Sequence, residues 1–270
     1  MSFESLGLAP ALLRALVEQN YTTPTQIQSE AIPLALAGHD VLGGAQTGTG
    51  KTAAFGLPLL NRLSKQTPVK GSRRPRALIL TPTRELAVQV SDSLRAYGKH
   101  LRLNSTTVYG GAGMQPQIDA LRRGVDILVA TPGRLLDLIA RNAISLRAVR
   151  YLVLDEADQM LDLGFIHALR KIKELAPKDR QTLFFSATMP KAIKELVSGF
   201  CNNPVQVSVT PESTTAERID QYLFMVQQDE KLSLLEMILK GRHTVPGTIE
   251  RVLIFTRTKH GADRVVKKLE

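Results

Sequence analysis

Residues 151–158 read Tyr-Leu-Val-Leu-Asp-Glu-Ala-Asp, a short apolar run that stops at three carboxylates within four positions. An apolar stretch bounded so sharply predicts a strand buried on both faces of a parallel sheet. Asp155, Glu156 and Asp158 then emerge at the strand's C-terminal end, where open α/β sheets place their ligands. Carboxylates there, beside a phosphate loop, hold Mg²⁺ and activate water. The octapeptide thus points to nucleotide chemistry and requires such a loop elsewhere in the chain.

Residues 45–52, Ala-Gln-Thr-Gly-Thr-Gly-Lys-Thr, supply it, following an apolar run and opening a helical pattern. Glycines let backbone N–H groups close around phosphates, Lys51 reaches the β- and γ-phosphates, and Thr52 is placed to ligate Mg²⁺. The general pattern asks for Gly where Ala45 stands, and Gly44 falls one position early. With the loop in place, Asp155 is the expected Mg²⁺ ligand and Glu156 the candidate base for the attacking water. The alternative for this pair is a cap on the next helix, near its positive dipole end.

Short apolar runs alternate with helical patterns along the chain. Expected strands are Val41–Ala45, Ala77–Thr81, Thr106–Tyr109, Ile127–Ala130, Leu152–Leu154, Leu183–Phe185 and Val205–Val209. Helices such as Glu85–Tyr97, Arg134–Arg141 and Ala192–Phe200 lie between them. This predicts an α/β lobe over residues 1–209, a parallel sheet covered by helices on both faces. Residues 210–217 are polar, contain Pro and read as a linker. Residues 218–270 offer strands at Ile219–Val226 and Arg251–Thr256 and helices at Lys231–Lys240 and Ala262–Leu269. So few elements cannot cover a parallel sheet, and this second unit reads as cut short.

The 270 residues carry a formal charge of +10, and residues 1–205 hold 25 Lys and Arg against 16 Asp and Glu. A basic domain suits nucleic acid, nucleotides or an anionic membrane. With no Trp and 5% aromatics, a long base-stacking stripe is not expected, so nucleic-acid contact should run mainly through the backbone. The single cysteine, Cys201, excludes an internal disulfide, fits a reducing compartment and reads as a small semi-buried hydrophobe. The histidines show no zinc-ligand spacing. No signal-peptide pattern or bilayer-length apolar stretch is present, so a cytoplasmic protein without membrane contact is expected. The basic run Lys70–Arg76 reads as a solvated loop.

Two joints share one form, Thr81-Pro-Thr-Arg84 and Thr131-Pro-Gly-Arg134. Thr suits the N-cap and Pro the first helical position, so each aims a helix N-terminus and an Arg at one sheet edge. Thr25 and Gln28 fit a capping box. Ser186 and Thr188 follow the Leu183–Phe185 run, where capping the next helix is one reading.

In one order the chain shows Phe3 with Tyr21-Thr-Thr-Pro-Thr-Gln-Ile-Gln28, Ala45–Thr52, Pro82-Thr-Arg-Glu-Leu-Ala87 and Gly110-Gly111. Thr131–Arg134, Asp155–Asp158, Ser186-Ala-Thr188 and Val252-Leu-Ile-Phe-Thr-Arg-Thr-Lys259 complete the series. It resembles the DEAD-box ATP-dependent RNA helicases from Phe3 to the chain end, all but the last motif matching their first lobe. The wording around Phe165–His167 and Thr256–Gly261 is similar to the bacterial RhlE-like subgroup.

The resemblance implies a RecA-like P-loop NTPase lobe and part of a second, with ATP and Mg²⁺ as cofactors. It implies an ATP site of Phe3, Tyr21, Gln28, Ala45, Gln46, Thr47, Gly48, Thr49, Gly50, Lys51 and Thr52. Gln28 would read the adenine edge, against the capping-box reading, and Phe3 would pack on the base. Catalysis would fall to Lys51, Asp155 and Glu156, with Thr52 and Asp155 at the metal, partly through water. Asp158 would couple ATP to strand separation through hydrogen bonds with Ser186 and Thr188. RNA would be tracked, with little sequence specificity, by Pro82, Thr83, Arg84, Gly110, Gly111, Thr131, Pro132, Gly133 and Arg134. The competing reading of each Arg is a surface ion pair. A monomer working near ribosome-assembly or RNA-decay proteins is also implied.

The family's second lobe carries an Arg/Gly/Asp-containing motif and a His-Arg-x-Gly-Arg-type motif whose arginines reach the γ-phosphate. Neither follows Lys259 in this sequence. An arginine finger is worth about 10³–10⁵ in rate. The expectation is therefore part of a longer helicase, binding ATP and holding RNA weakly with little turnover. The alternative is an ATP- and RNA-binding module without turnover. A GTPase would want Asn-Lys-x-Asp, which is absent.

Overall fold

The apolar runs of the basic region pair into a seven-stranded, all-parallel sheet. The computed structural model describes residues 2–46, 48–66, 74–208, 220, 222–241 and 249–269. Thr47, residues 70–73 of the basic run, Val209, the linker and parts of the second unit lie outside the described residues. The strands are β1 (Val41–Gly44), β2 (Ala77–Leu80), β3 (Ser105–Val108), β4 (Ile127–Ala130), β5 (Tyr151–Leu154), β6 (Gln181–Ser186) and β7 (Val205–Ser208). Their order is β3-β4-β2-β5-β6-β1-β7. Each expected strand of this region is present, with ends shifted by at most two residues.

Successive residues of the central strands serve opposite cores. Ala77, Ile79, Ile127, Val129, Tyr151 and Val153 enter one apolar cluster; Leu78, Leu80, Leu128, Ala130, Leu152 and Leu154 enter the other. Apolar residues at every position are what a sheet with helices on both sides demands. The first cluster is covered by α1 (Pro10–Glu18), α2 (Gln26–Ala37), α3 (Lys51–Ser64) and α4 (Arg84–Tyr97). The second is covered by α5 (Met114–Arg122), α6 (Pro132–Ala140), α7 (Ala157–Asp162), α8 (Ile166–Leu175) and α9 (Lys191–Phe200).

Two residues fix β1 in this sheet. Buried Asp40 accepts the Thr182 N–H through Oδ1 at 2.8 Å and the Asn202 N–H through Oδ2 at 2.6 Å. One carboxylate thus ties the entry of β1 to β6 and to the approach to β7. Gly43 leaves room for the Phe185 ring of β6, which a methyl at Gly43 would strike. That ring packs on Phe55 of α3, centroids 5.6 Å apart, so the helix after the loop lies close on the sheet. Gly43→Ala is expected to destabilise the fold by about 1–3 kcal/mol through overpacking, measurable by equilibrium urea unfolding.

The chain divides into two units, Met1–Pro211 and Glu212–Glu270. In the second, the described residues form α10 (Lys231–Leu239) and α11 (Lys259–Leu269). The expected strands are not found there: residues 222–226 and 251–256 join no ladder and expose Leu223, Met225, Leu253 and Phe255. A strand is defined by hydrogen bonds to a partner, which an apolar run does not itself supply. No helix of the described residues is long and apolar enough to cross a membrane.

Candidate nucleotide site and nucleic-acid interface

Parallel register brings the chemistry to one level. Gly44 of β1 pairs with Ser186 of β6, Leu154 of β5 with Leu80 of β2, and both Leu80 and Val108 with Ala130 of β4. The residues following these strand ends therefore share the sheet's C-terminal edge, as open α/β sheets place their ligand sites.

At Gly48 and Gly50 the loop takes φ values of 85° and 92°, the left-handed region that favours glycine. Gly50 caps α3, whose first residue is Lys51. The buried Lys51 Nζ stands 3.8 Å from Asp155 Oδ1 and 3.8 Å from Glu156 Oε1. Lys51 Nζ and Asp155 Oδ1 are both buried without a hydrogen-bond partner. Buried polar atoms without hydrogen bonds are costly, so an ammonium and a carboxylate oxygen that face each other without one fit a site shaped for phosphate and a cation.

Burial pushes the Asp155 carboxyl up to about 6, with Lys51 pulling it down and Glu156 adding to the rise. The folded, ligand-free protein thus keeps a proton that an ordinary carboxyl with pKa 3.8 has already lost in the unfolded chain. Stability from this group is therefore expected to fall as pH rises from about 4 to about 6, then level off. Asp155→Asn should remove that decline from a plot of Tm against pH.

Glu156 occupies the N-cap position of α7 at φ 54°, beside the helix's positive dipole end, and its side chain makes no cap hydrogen bond. A left-handed non-glycine residue costs about 1–2 kcal/mol, and here the turn brings both carboxylates to one ammonium.

Gln28 is buried and realises the cap half of its two readings. Its Oε1 accepts the Thr25 N–H at 2.9 Å, while its Nε2 donates to Gly50 O at 3.1 Å. Thr25 Oγ1 adds a bond to Thr49 O at 2.9 Å, so the start of α2 holds the backbone of the loop. Phe3, expected on the base, is only 4% exposed and belongs to the core. Its ring lies 6.4 Å from that of Tyr21, which is 37% exposed and carries the accessible aromatic surface of the pair. Tyr21 also stacks edge-on to Tyr97 at 5.9 Å.

Asp158 is tied to the turn after β6, through one of its two expected partners. Its Oδ2 accepts Thr188 Oγ1–H at 3.0 Å, Thr188 N–H at 2.9 Å and Ala187 N–H at 3.1 Å. Ser186 does not join it: the Ser186 hydroxyl donates to Thr188 O at 2.8 Å. Neither residue caps α9, whose N-cap is Pro190.

The two Thr-Pro joints differ. Thr131 and Pro132 stand at the N-cap and first turn of α6, as expected, although Thr131 makes no side-chain cap bond. In the other joint the cap is Thr83, whose Oγ1 accepts the Leu86 N–H at 3.2 Å, and Pro82 precedes it. Thr81 instead extends the ladder, its N–H bonding Ala130 O at 3.0 Å. Exposed Arg84 lies over the Tyr109 ring at 5.0 Å. Arg134 is largely buried, both terminal nitrogens donating to Ala112 O at 3.1 Å, and its Nε stands 4.0 Å from the carboxylate of exposed Asp137. Gly110 and Gly111 are exposed and open, Gly111 at φ 74°. Gly133, between Pro132 and Arg134, lies in the first turn of α6.

A family model described as DEAD/DEAH box helicase matches residues 25–196, the span that carries the loop, the three carboxylates of Asp155–Asp158 and both helix joints. The chain belongs to this family. Among DEAD-box relatives, it is 44% identical over its whole length to "RNA helicase CrhR" of Synechocystis, covering 53% of that protein. It is 41% identical, again over its whole length, to "DEAD-box ATP-dependent RNA helicase CshA" of Streptococcus pneumoniae, covering 50% of it. A crystal structure of a hypothetical ATP-dependent RNA helicase from Sulfolobus tokodaii superposes with a TM-score of 0.67 at 36% identity. That match covers 74% of this chain and 56% of the other, and it assigns the sheet to the RecA-like fold. The DEAD-box chain spans about half the length of these curated relatives.

Sequence reasoning passed over Gln117. Its side chain is 9% exposed, accepts the Tyr109 N–H at 3.1 Å and donates to Tyr109 O at 3.1 Å and Gly113 O at 3.2 Å. The available signal was a polar residue one turn before Leu121, on the core face of α5.

Proposed function

We propose that this chain is the ATP-binding part of an ATP-dependent RNA helicase, coupling Mg·ATP binding and hydrolysis to local RNA unwinding or RNA–protein remodelling. The observation that carries this is the buried Lys51 ammonium, without a hydrogen-bond partner and 3.8 Å from Asp155 and Glu156 at the sheet edge. In this reading Lys51 and the loop backbone hold the phosphates of ATP. Thr52 and Asp155 hold Mg²⁺, which neutralises phosphate charge. Glu156 orients the attacking water. Gln28 reaches the adenine by exchanging one of its present hydrogen bonds, and Tyr21 with the margin of Phe3 borders the base. Asp158, through Thr188 and Ala187, reports the state of the site to the end of β6.

RNA lies along Thr83, Arg84, Gly110, Gly111, Thr131 and Gly133, with Pro82, Pro132 and Arg134 shaping that edge. Such contacts position a strand without reading its sequence. Residues 218–270 begin a second lobe of the same kind. Turnover by the 270 residues alone is slow, because no arginine-finger motif follows Lys259. A cytoplasmic monomer of the RhlE-like subgroup, working near ribosome-assembly or RNA-decay proteins, completes the reading. The second reading, an ATP- and RNA-binding module without turnover, is favoured by the same absent motifs. RNA-stimulated ATPase and unwinding, compared between this chain and a version extended through those motifs, separate the two. Activity in the extended protein only is expected; robust unwinding by the 270 residues overturns the slow-turnover reading, and an inactive extended protein overturns the helicase.

A further inference from the structure

The turn after β3 is held from below by residues with no role in nucleotide chemistry. Gln117 of α5 clamps Tyr109 by both its N–H and its C=O, and it also takes Gly113 O. Arg134 grips Ala112 O with both terminal nitrogens. Tyr109 in turn lies under the Arg84 guanidinium. Within residues 109–113 only Gly110 and Gly111 are left unheld, exposed, with no heavy atom within 4 Å of where a Cβ would stand.

A turn fixed at both ends with open glycine backbone between them can receive a phosphate group without paying for its own ordering at the moment of contact. We propose that Gln117 is a positioning residue for RNA, holding this turn so that Gly110, Gly111 and Arg84 meet the backbone of single-stranded RNA together. The proposal rests on the RNA-binding reading above and adds a residue outside its contact surface. Gln117 never touches the RNA. Its hydrogen bonds fix the Tyr109 backbone, and through the Tyr109 ring they fix the height of Arg84. Because the contacts are to phosphate, the effect is the same for every RNA sequence.

The test uses the 270-residue protein, a fluorescein-labelled single-stranded oligouridylate and a saturating non-hydrolysable Mg·ATP analogue. Gln117→Met keeps the side-chain volume and removes the hydrogen bonds. It is expected to weaken RNA binding about tenfold in fluorescence anisotropy, with nucleotide affinity close to wild type and Tm lowered by the polar groups left unpaired. Gln117→Glu keeps one acceptor, loses both donor contacts and adds a negative charge beside the RNA path, and should weaken RNA binding further. If Gln117→Met does not fold, Gln117→Glu carries the comparison. Wild-type RNA affinity in the folded variants refutes the clamp alone, as does a parallel loss of nucleotide and RNA affinity. Absence of RNA binding by the wild-type protein refutes the RNA reading, and the clamp falls with it.

Discussion

Lys51→Ala is expected to abolish measurable Mg·ATP binding in a calorimetric titration while the protein stays folded. Charge-assisted hydrogen bonds to phosphate are worth about 1.5–3 kcal/mol each, so losing those of one ammonium weakens affinity by about 10²–10⁴. A second loss compounds the first. Lys51 is the largest of the influences that hold the Asp155 carboxyl down against burial, ahead of a backbone hydrogen bond at Glu156, and that carboxyl already sits at about 6. Without Lys51 it rises further, so the expected Mg²⁺ ligand is more readily protonated as well. The same protonation protects the fold, since a neutral Asp155 leaves no uncompensated charge in the interior. A Tm near wild type with no nucleotide binding is the expected pair of results. Retained affinity would remove Lys51 from the phosphate site.

Glu156→Gln should separate binding from chemistry. The amide keeps the length and shape of the side chain and the left-handed backbone at φ 54°, so the loop geometry survives. What it loses is a base for the attacking water, a contribution of about 10²–10⁴ in rate. In a protein extended through the second-lobe motifs, Glu156→Gln is expected to bind Mg·ATP like wild type and to hydrolyse it at a small fraction of the rate. Normal hydrolysis would transfer the role of base to another group.

The strands were legible because both of their faces are buried: Leu78 and Ile79 serve different cores, so β2 reads as continuous apolar sequence. Lys51, Asp155 and Glu156 were legible because strand ends in a parallel sheet converge at one edge. What failed was the choice among near-equal partners. Thr81 and Thr83 are the same residue type two positions apart, and Thr83 caps α4, although Thr81 and the α6 cap Thr131 both extend the ladder in the same way. The Ser186 hydroxyl lies next to the Asp158 ligands, yet Thr188 O is its acceptor, a matter of one turn's geometry. Phe3 is apolar in either role, and its burial depends on packing that spacing does not encode. Gln117 shows the same limit in reverse: period 3.6 gives its face on α5 but not the backbone it grips.

One further consequence follows from the order of the sheet. β1, which leads into the phosphate loop, and β5, which leads into the carboxylates of Asp155–Asp158, are not neighbours; β6 runs between them. Adjacent strands lie about 4.8 Å apart, so the two halves of the nucleotide site are held about 10 Å apart by hydrogen-bond ladders. The sheet thus acts as a caliper. Loops on either side are free to vary in length without changing the setting, and a side chain as long as lysine is what closes the jaws. ATP meets a gap whose width is that of one strand.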